Sequence, residues 1–329
     1  MKQFLVNIKH LVVSLAMFAP LQSWAGDVHQ EIPALGLRPA YSDLKCKDII
    51  IGASMASKEP AYVGVVEAAV REGGDSANAL FNTMPEEFLW WIRMTGSIDI
   101  YTVGMAVHET SHTLNTRLTN CNRGRASFYF GGVRWNTEYR STGSPPYATA
   151  ASYVPDELKQ SPLSRYQNYF VRLGTNPAND FRALLDEFNA YVEGARTEVN
   201  AIGSPLYKRS VQFDAFDGNL GGTAEFMLYT LAYLKKVRIE HPDAWEAIRN
   251  SPLLLAHIQR MWSGAEMLFD RWKSTGDRKY IVSGSILHSA YQAAYIAELD
   301  HLGIRHRPLS PLGQSLTRAG DLAGQPPAM

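Results

Sequence analysis

Residues 98–118 have the sequence IDIYTVGMAVHETSHTLNTRL, and this stretch carries both the fold and the chemistry that we predict. Within it, His108 and His112 are four residues apart, a spacing that places two side chains on one face of an α-helix, about one turn from each other. Apart from these histidines and Glu109, every residue in 104–114 is uncharged. Such a composition suits a buried helix, because an unpaired buried charge is costly. We therefore predict a buried helix that presents two imidazoles on one face.

The order of these residues, His-Glu-x-x-His, is the arrangement in which both imidazoles bind one zinc ion. Glu109 follows the first histidine and points into the same cleft, where it can act as a general base instead of binding the metal. Zinc lowers the pKa of its bound water towards neutrality, so that a carboxylate can take the proton and return it. We therefore expect one Zn²⁺ per chain, bound by His108 and His112, with Glu109 as the catalytic base.

On these residues the chain resembles the HExxH zinc metallopeptidases, the zincins. It lacks the third histidine of the HExxHxxGxxH pattern, because His112 is followed by Thr113, Leu114, Asn115 and Thr116. The next histidines lie far downstream, at His241, His257, His288, His301 and His306. The chain is therefore similar to the gluzincin subgroup, in which a glutamate on a later helix completes the zinc site. This resemblance implies a zincin-like α+β catalytic domain and a peptide or protein substrate.

We expect the third metal ligand to lie on a helix that we predict from Pro177 to about Asn200. Its apolar stripe lies at Phe181, Leu184, Leu185, Phe188, Val192, Ala195 and Val199. At 100° per residue, Glu187 lies on the edge of this stripe, and Glu193 lies on the far side, facing solvent. A metal ligand in a cleft belongs at the edge of the buried face, which favours Glu187. The pattern from Glu187 to Ala190 also resembles the Glu-x-x-Ala pattern of gluzincin third ligands.

Glu225 is the competing candidate. It lies in a helix that is apolar on nearly every side, so a buried carboxylate there needs a partner. It could be the metal ligand, a carboxylate that orients His108 or His112, or the partner of a buried base.

Further candidates concern the substrate. A developing oxyanion usually needs a donor besides the metal, and Tyr191, His288 and Tyr291 are the candidates. For each one alone, a packed aromatic or a satisfied helix histidine is the favoured interpretation. Aromatic and β-branched residues flank a Gly-Gly pair at 127–137, which predicts a β-hairpin. This hairpin could align a substrate by main-chain pairing or could simply cover the core.

The predicted fold class is mostly α with a small β element, in one domain. The chain has 329 residues, of which 46% are hydrophobic and 19% charged, an ordinary globular composition. Besides the helices named above, we predict helices at 61–71, 85–94, 221–240, 253–273 and 279–302, and a further helix that begins at Pro242. We place the catalytic domain at 26–307 and a flexible tail at 308–329. With 32 basic and 32 acidic residues, the chain has no basic surface excess that would favour nucleic acid.

The first 25 residues are typical of a secretory signal peptide. Lys2 and Lys9 precede a short apolar run at 11–19, and the segment ends in the small-x-small pattern of a cleavage site at Ala25. We therefore expect a periplasmic or secreted protein without a stable membrane insertion after cleavage. In an oxidising compartment its two cysteines, Cys46 and Cys121, are expected to form a disulfide.

These observations together predict a zinc-dependent hydrolase, most simply a metallopeptidase. One alternative is a non-catalytic envelope protein that uses the same helical scaffold for binding or assembly. Another is a zinc amidase that acts on cell-wall material.

Overall fold

In the computed structural model, the part of the chain that is described comprises residues 60–161, 164–173, 176, 178–209, 218–276 and 281–307. These residues contain twelve α-helices and one two-stranded antiparallel sheet, which confirms the predicted fold class. The helices are α1 (Pro60–Gly73), α2 (Asp75–Thr83), α3 (Pro85–Thr95), α4 (Ile100–Cys121), α5 (Asp156–Gln160), α6 (Phe181–Asn200), α7 (Pro205–Arg209), α8 (Gly218–Glu240), α9 (Pro242–Arg249), α10 (Pro252–Thr275), α11 (Ile281–Ala290) and α12 (Ala293–His301). The strands are β1 (Ser127–Phe130) and β2 (Val133–Asn136).

Helix α4, which contains the HExxH sequence, begins at a capping box. The side chain of Asp99 accepts a hydrogen bond from the amide of Thr102 at 2.9 Å, and the hydroxyl of Thr102 accepts one from the amide of Asp99 at 3.0 Å. Two amides at the helix start are thereby satisfied. This cap fixes where the helix begins, and therefore which residues face the core one and two turns later.

Helix α8 is the central element, because its residues are buried on every side from Gly218 to Leu234. Helices α4 and α6 pack together, and α6 packs against α8. A Cβ at Gly222 would lie 2.1 Å from the ring of Tyr191, so glycine is needed where α6 meets α8. The resulting three-helix core places the buried faces of α4 and α6 opposite each other.

The predicted hairpin is confirmed. Strands β1 and β2 pair with Phe128 opposite Trp135, and the turn between them consists of Gly131 and Gly132. Both glycines have positive φ, 58° and 79°, which the tight turns of hairpins require. Strand β1 packs against α4 and α6, whereas β2 is mostly exposed.

Two predicted helices differ from the structure. Helix α6 begins at Phe181 instead of Pro177, because the side chain of Asp180 accepts from the amide of Ala183 and caps the helix there. The helix predicted at 279–302 is two helices, α11 and α12, because the chain becomes extended at Gln292.

Several predictions concern residues outside the described ranges. The signal peptide at 1–25, the domain residues before 60, the tail at 308–329 and Cys46 all lie there. Cys121 is half-buried at the end of α4, and its disulfide with Cys46 stays a prediction. Among the described helices, none combines the length and the apolar character that crossing a bilayer requires.

Candidate metal centre

His108, His112 and Glu187 form a buried cluster. The two Nε2 atoms are 3.0 Å apart, and Glu187 Oε2 lies 3.3 Å from Nε2 of His112 and 3.7 Å from Nε2 of His108. Each residue offers one ligand atom, and the three atoms lie within 4.8 Å of one another. Each of these side chains is more than nine-tenths buried. The structure therefore brings the two motif histidines together with the glutamate favoured as third ligand, in a group that could hold a metal ion.

The orientation of His112 is fixed by Asp186, the residue before Glu187. Nδ1 of His112 lies 2.9 Å from Asp186 Oδ2, and Nδ2 of Asn115 donates to Asp186 Oδ1 at 2.7 Å. A carboxylate that accepts from Nδ1–H leaves Nε2 as the free lone pair, which is the tautomer a metal needs. The sequence alone indicates a role for neither Asp186 nor Asn115. Asp186 could have been anticipated, because a metal-binding histidine usually donates its other ring N–H to a carboxylate or carbonyl.

The neighbours of His108 are different. Nδ1 of His108 has no hydrogen-bond partner among the described residues, although Asn219 at the start of α8 is close enough to influence the pKa of His108. Asn219 is held by Glu198, which accepts from its Nδ2 at 2.7 Å and its backbone amide at 3.0 Å. A Cβ at Gly194 would lie 2.4 Å from the side chain of Asn219, so this glycine makes room for the amide. Helix α6 therefore contributes Asp186, which contacts His112, and Glu198, which holds Asn219 at the start of α8.

The two histidines have opposite pKa shifts. Burial lowers the pKa of His108 well below its ordinary value, and the charge of His112 lowers it further. Burial also disfavours the charged form of His112, but the carboxylates Glu187 and Asp186 outweigh this and raise its pKa well above the ordinary value. The cluster therefore stabilises one positive charge at the point where its three ligand atoms meet. Two imidazole nitrogens and a carboxylate oxygen are a donor set that suits zinc.

Glu109 lies beside the cluster but is not one of its three ligands. It follows His108 on α4 and is half-buried, and its charge acts on the hydroxyl of Tyr101. Its role as general base stays a prediction.

Tyr169 is a site residue that the sequence analysis missed. Its hydroxyl donates to Glu187 Oε2 at 3.0 Å and lies 3.1 Å from the hydroxyl of Tyr191. It comes from a π-helical segment, Gln167–Arg172, and such turns are frequent at functional sites. Tyr191, a predicted oxyanion donor, also lies at the cluster: the centroid of its ring is 4.3 Å from that of His108, and its role as a donor stays a prediction. Burial raises the pKa of both tyrosines, so both hydroxyls stay protonated.

Glu225 is the partner of a buried base, one of the three roles considered for it, and is not a ligand. Its Oε1 accepts from Arg165 Nη1 at 2.7 Å, and its Oε2 accepts from the Arg165 amide at 2.7 Å and the Tyr229 hydroxyl at 2.8 Å. Among the described residues, the group whose ligand atoms lie together contains Glu187 and not Glu225.

Glu193 contradicts the prediction that it faces solvent. Its side chain is 1% exposed, its Oε1 accepts from the amide of Gly131 at 2.8 Å, and Arg196 lies 3.4 Å away. The prediction assumed one buried face, whereas α6 packs against α4, α8, α10 and β1. Glu193 therefore attaches the hairpin turn to α6.

The other two predicted oxyanion donors lie elsewhere. The hydroxyl of Tyr291 donates to Glu266, which also accepts from Trp262 Nε1 at 3.2 Å and the amide of Arg307 at 2.9 Å. The prediction for Tyr291 is therefore wrong, because a carboxylate holds its hydroxyl. His288 is exposed on α11.

Comparison of the whole chain with protein-family models, curated proteins and solved structures finds no match, so the interpretation of this centre rests on its own geometry.

Proposed function

We propose that this protein is a zinc-dependent hydrolase of the metallopeptidase class. The observation that supports the proposal most strongly is the convergence of His108 Nε2, His112 Nε2 and Glu187 Oε2 in a buried cluster. Zinc prefers such nitrogen and oxygen ligands, and catalytic zinc sites use three protein ligands and keep one position for water. The resemblance of the HExxH sequence to the zincins favours a peptide bond as the target.

Each residue then has a defined task. Bound zinc would supply a Lewis acid and a water of lowered pKa. Glu109 takes a proton from the attacking water and gives it to the leaving amine. Asp186 keeps the Nε2 lone pair of His112 available. Tyr169 donates its hydroxyl to Glu187 Oε2 and thereby orients the carboxylate that would bind the metal.

The test of this mechanism is Glu109→Gln. The variant should bind one zinc per chain and lose peptide hydrolysis by about 10²–10⁴-fold or more, because only the proton transfer is removed. Exposed Glu67→Gln on α1 is the matched control and should hydrolyse at the wild-type rate. Turnover of Glu109→Gln near the wild-type rate would contradict the assignment.

Substrate screens separate the remaining classes. A zinc-loaded protein that cleaves cell-wall amides but no peptide would indicate an amidase. A stably folded protein that binds no zinc would indicate a non-catalytic binding or assembly protein.

We further propose that the protein is exported and that Cys46 pairs with Cys121. The exported form should begin at Gly26, as N-terminal sequencing would show. Thiol labelling of denatured, non-reduced protein should modify no cysteine, and two labelled cysteines per chain would reject the disulfide.

A further inference from the structure

A continuous chain of hydrogen bonds joins the cluster of His108, His112 and Glu187 to the β-hairpin. From His112 Nδ1 it passes to Asp186 at 2.9 Å, from Asp186 to Asn115 Nδ2 at 2.7 Å, and from Asn115 Oδ1 to the amide of Tyr129 in β1 at 2.6 Å. The carbonyl of Tyr129 accepts from Asn189 Nδ2 at 3.0 Å. The backbone N–H and C=O of Tyr129 are thus both bonded by asparagine side chains, one on α4 and one on α6.

This arrangement fixes the direction of the Asn115 amide. Its oxygen must face a backbone N–H and its nitrogen must face a carboxylate, so a flipped amide would lose both bonds. Asn115 is 2% exposed, and water therefore offers no substitute partner. Because Asn115 donates to Oδ1 of Asp186, Oδ2 of Asp186 is free to accept from His112.

We propose that Asn115 is a positioning residue for the metal centre, and that strand β1 orients it. Its role is to hold Asp186 so that His112 keeps its proton on Nδ1 and its lone pair on Nε2. The hairpin then supports the centre from behind the histidine instead of aligning a substrate through β1, because the backbone of Tyr129 is already bonded on its outer side. This inference rests on the proposed zinc site and adds residues to it.

The first test uses neutral truncations of the two asparagines that bond the backbone of Tyr129. Asn115→Ser removes the donor to Asp186, and Asn189→Ser removes only the bond to the Tyr129 carbonyl. Zinc affinity, measured on the mature chain by competition with a chromogenic chelator, should fall about 10–100-fold in Asn115→Ser and stay within about twofold in Asn189→Ser. The visible spectrum of the cobalt-loaded protein should change in the first variant only.

The second test exchanges the two side chains. Asn115→Asp places two carboxylates against each other, and Asp186→Asn leaves one donor unpaired, so each single variant should bind zinc more weakly. The double variant restores the bond between positions 115 and 186 with donor and acceptor reversed. Position 186 still accepts from His112 and position 115 from the Tyr129 amide, so the variant should recover most of the affinity. This rescue also serves if Asn115→Ser does not fold.

The outcomes separate this inference from the function. The positioning role alone would be overturned if Asn115→Ser bound zinc as tightly as the wild type. It would also be overturned if the double variant bound zinc no more tightly than the weaker single variant. A wild-type protein that binds no zinc would overturn the proposed function as well.

Discussion

The acidic residues of helix α6 show how residues on one helix acquire different roles. Asp186 accepts from His112, Glu187 belongs to the metal cluster, Glu193 holds the hairpin turn, and Glu198 holds Asn219. All lie within 13 residues of one helix, and each role depends on which element faces that residue. Of these four residues, only Glu187 belongs to the cluster that could hold a metal ion, and only Asp186 bonds to one of its histidines.

Replacing Glu187 or Glu193 by alanine separates an effect on metal binding from an effect on stability. Glu187→Ala should lower zinc affinity by more than about 100-fold, above the range for losing a supporting residue. Glu193→Ala should leave zinc affinity unchanged, but it should lower the free energy of unfolding by about 1–3 kcal/mol, because the amide of Gly131 loses its acceptor. Chelator competition and urea unfolding measure the two quantities. Equal zinc loss in both variants would contradict the separate roles.

The sequence predicts part of this residue-level arrangement. The four-residue spacing of His108 and His112 and the helical edge position of Glu187 are local regularities, so a single helix suffices to derive them. Tyr169 and Asn115 act through contacts between elements distant in sequence, and no local pattern indicates them. The position of Glu193 was wrongly predicted for the same reason, since a helical wheel does not show how many neighbours surround a helix.

At the scale of elements, close packing of α6 on α8 places Tyr191 against His108. This packing depends on Gly222, which lies under the Tyr191 ring. The apolar composition of α8 correctly predicts that it is buried, and the aromatic runs around Gly131 and Gly132 correctly predict the hairpin. The break at Gln292 was missed because the apolar pattern continues across it.

Two glycine-to-alanine substitutions test the helix packing. Gly222→Ala should lower the free energy of unfolding by about 1–3 kcal/mol, because a Cβ would overlap the Tyr191 ring. Gly64→Ala, at an exposed position of α1, meets no atom within 4 Å and should raise the free energy of unfolding by about 0.5–1 kcal/mol. Urea unfolding of both variants is the measurement, and a stabilised Gly222→Ala would contradict the close approach of α6 and α8.

For the molecule as a whole, His257 makes stability depend on pH. It is fully buried on α10, its ring stacks on Phe128 with centroids 4.3 Å apart, and neither ring nitrogen has a hydrogen-bond partner among the described residues. Burial, with the nearby charge of Arg260, lowers its pKa to about 3. Below its ordinary pKa of about 6.5, the unfolded chain binds a proton that the folded chain does not, so folding weakens as the pH falls towards 3.

His257→Phe should remove this contribution. Between pH 7 and pH 5 the wild type should lose about 2 kcal/mol more unfolding free energy than the variant, measured by urea unfolding with chelator present. Exposed His301→Gln is the control and should keep the wild-type dependence. Identical pH dependence in His257→Phe and the wild type would show that His257 is not buried and neutral.

The most direct test of the central claim is the zinc content of the mature protein by native mass spectrometry, compared among the wild type, His108→Ala and Glu187→Ala. The buried cluster of two imidazoles and one carboxylate predicts one zinc per wild-type chain and none in either variant at the same free zinc concentration. A wild-type chain that is folded and free of zinc, or zinc retained equally in both variants, would contradict the account.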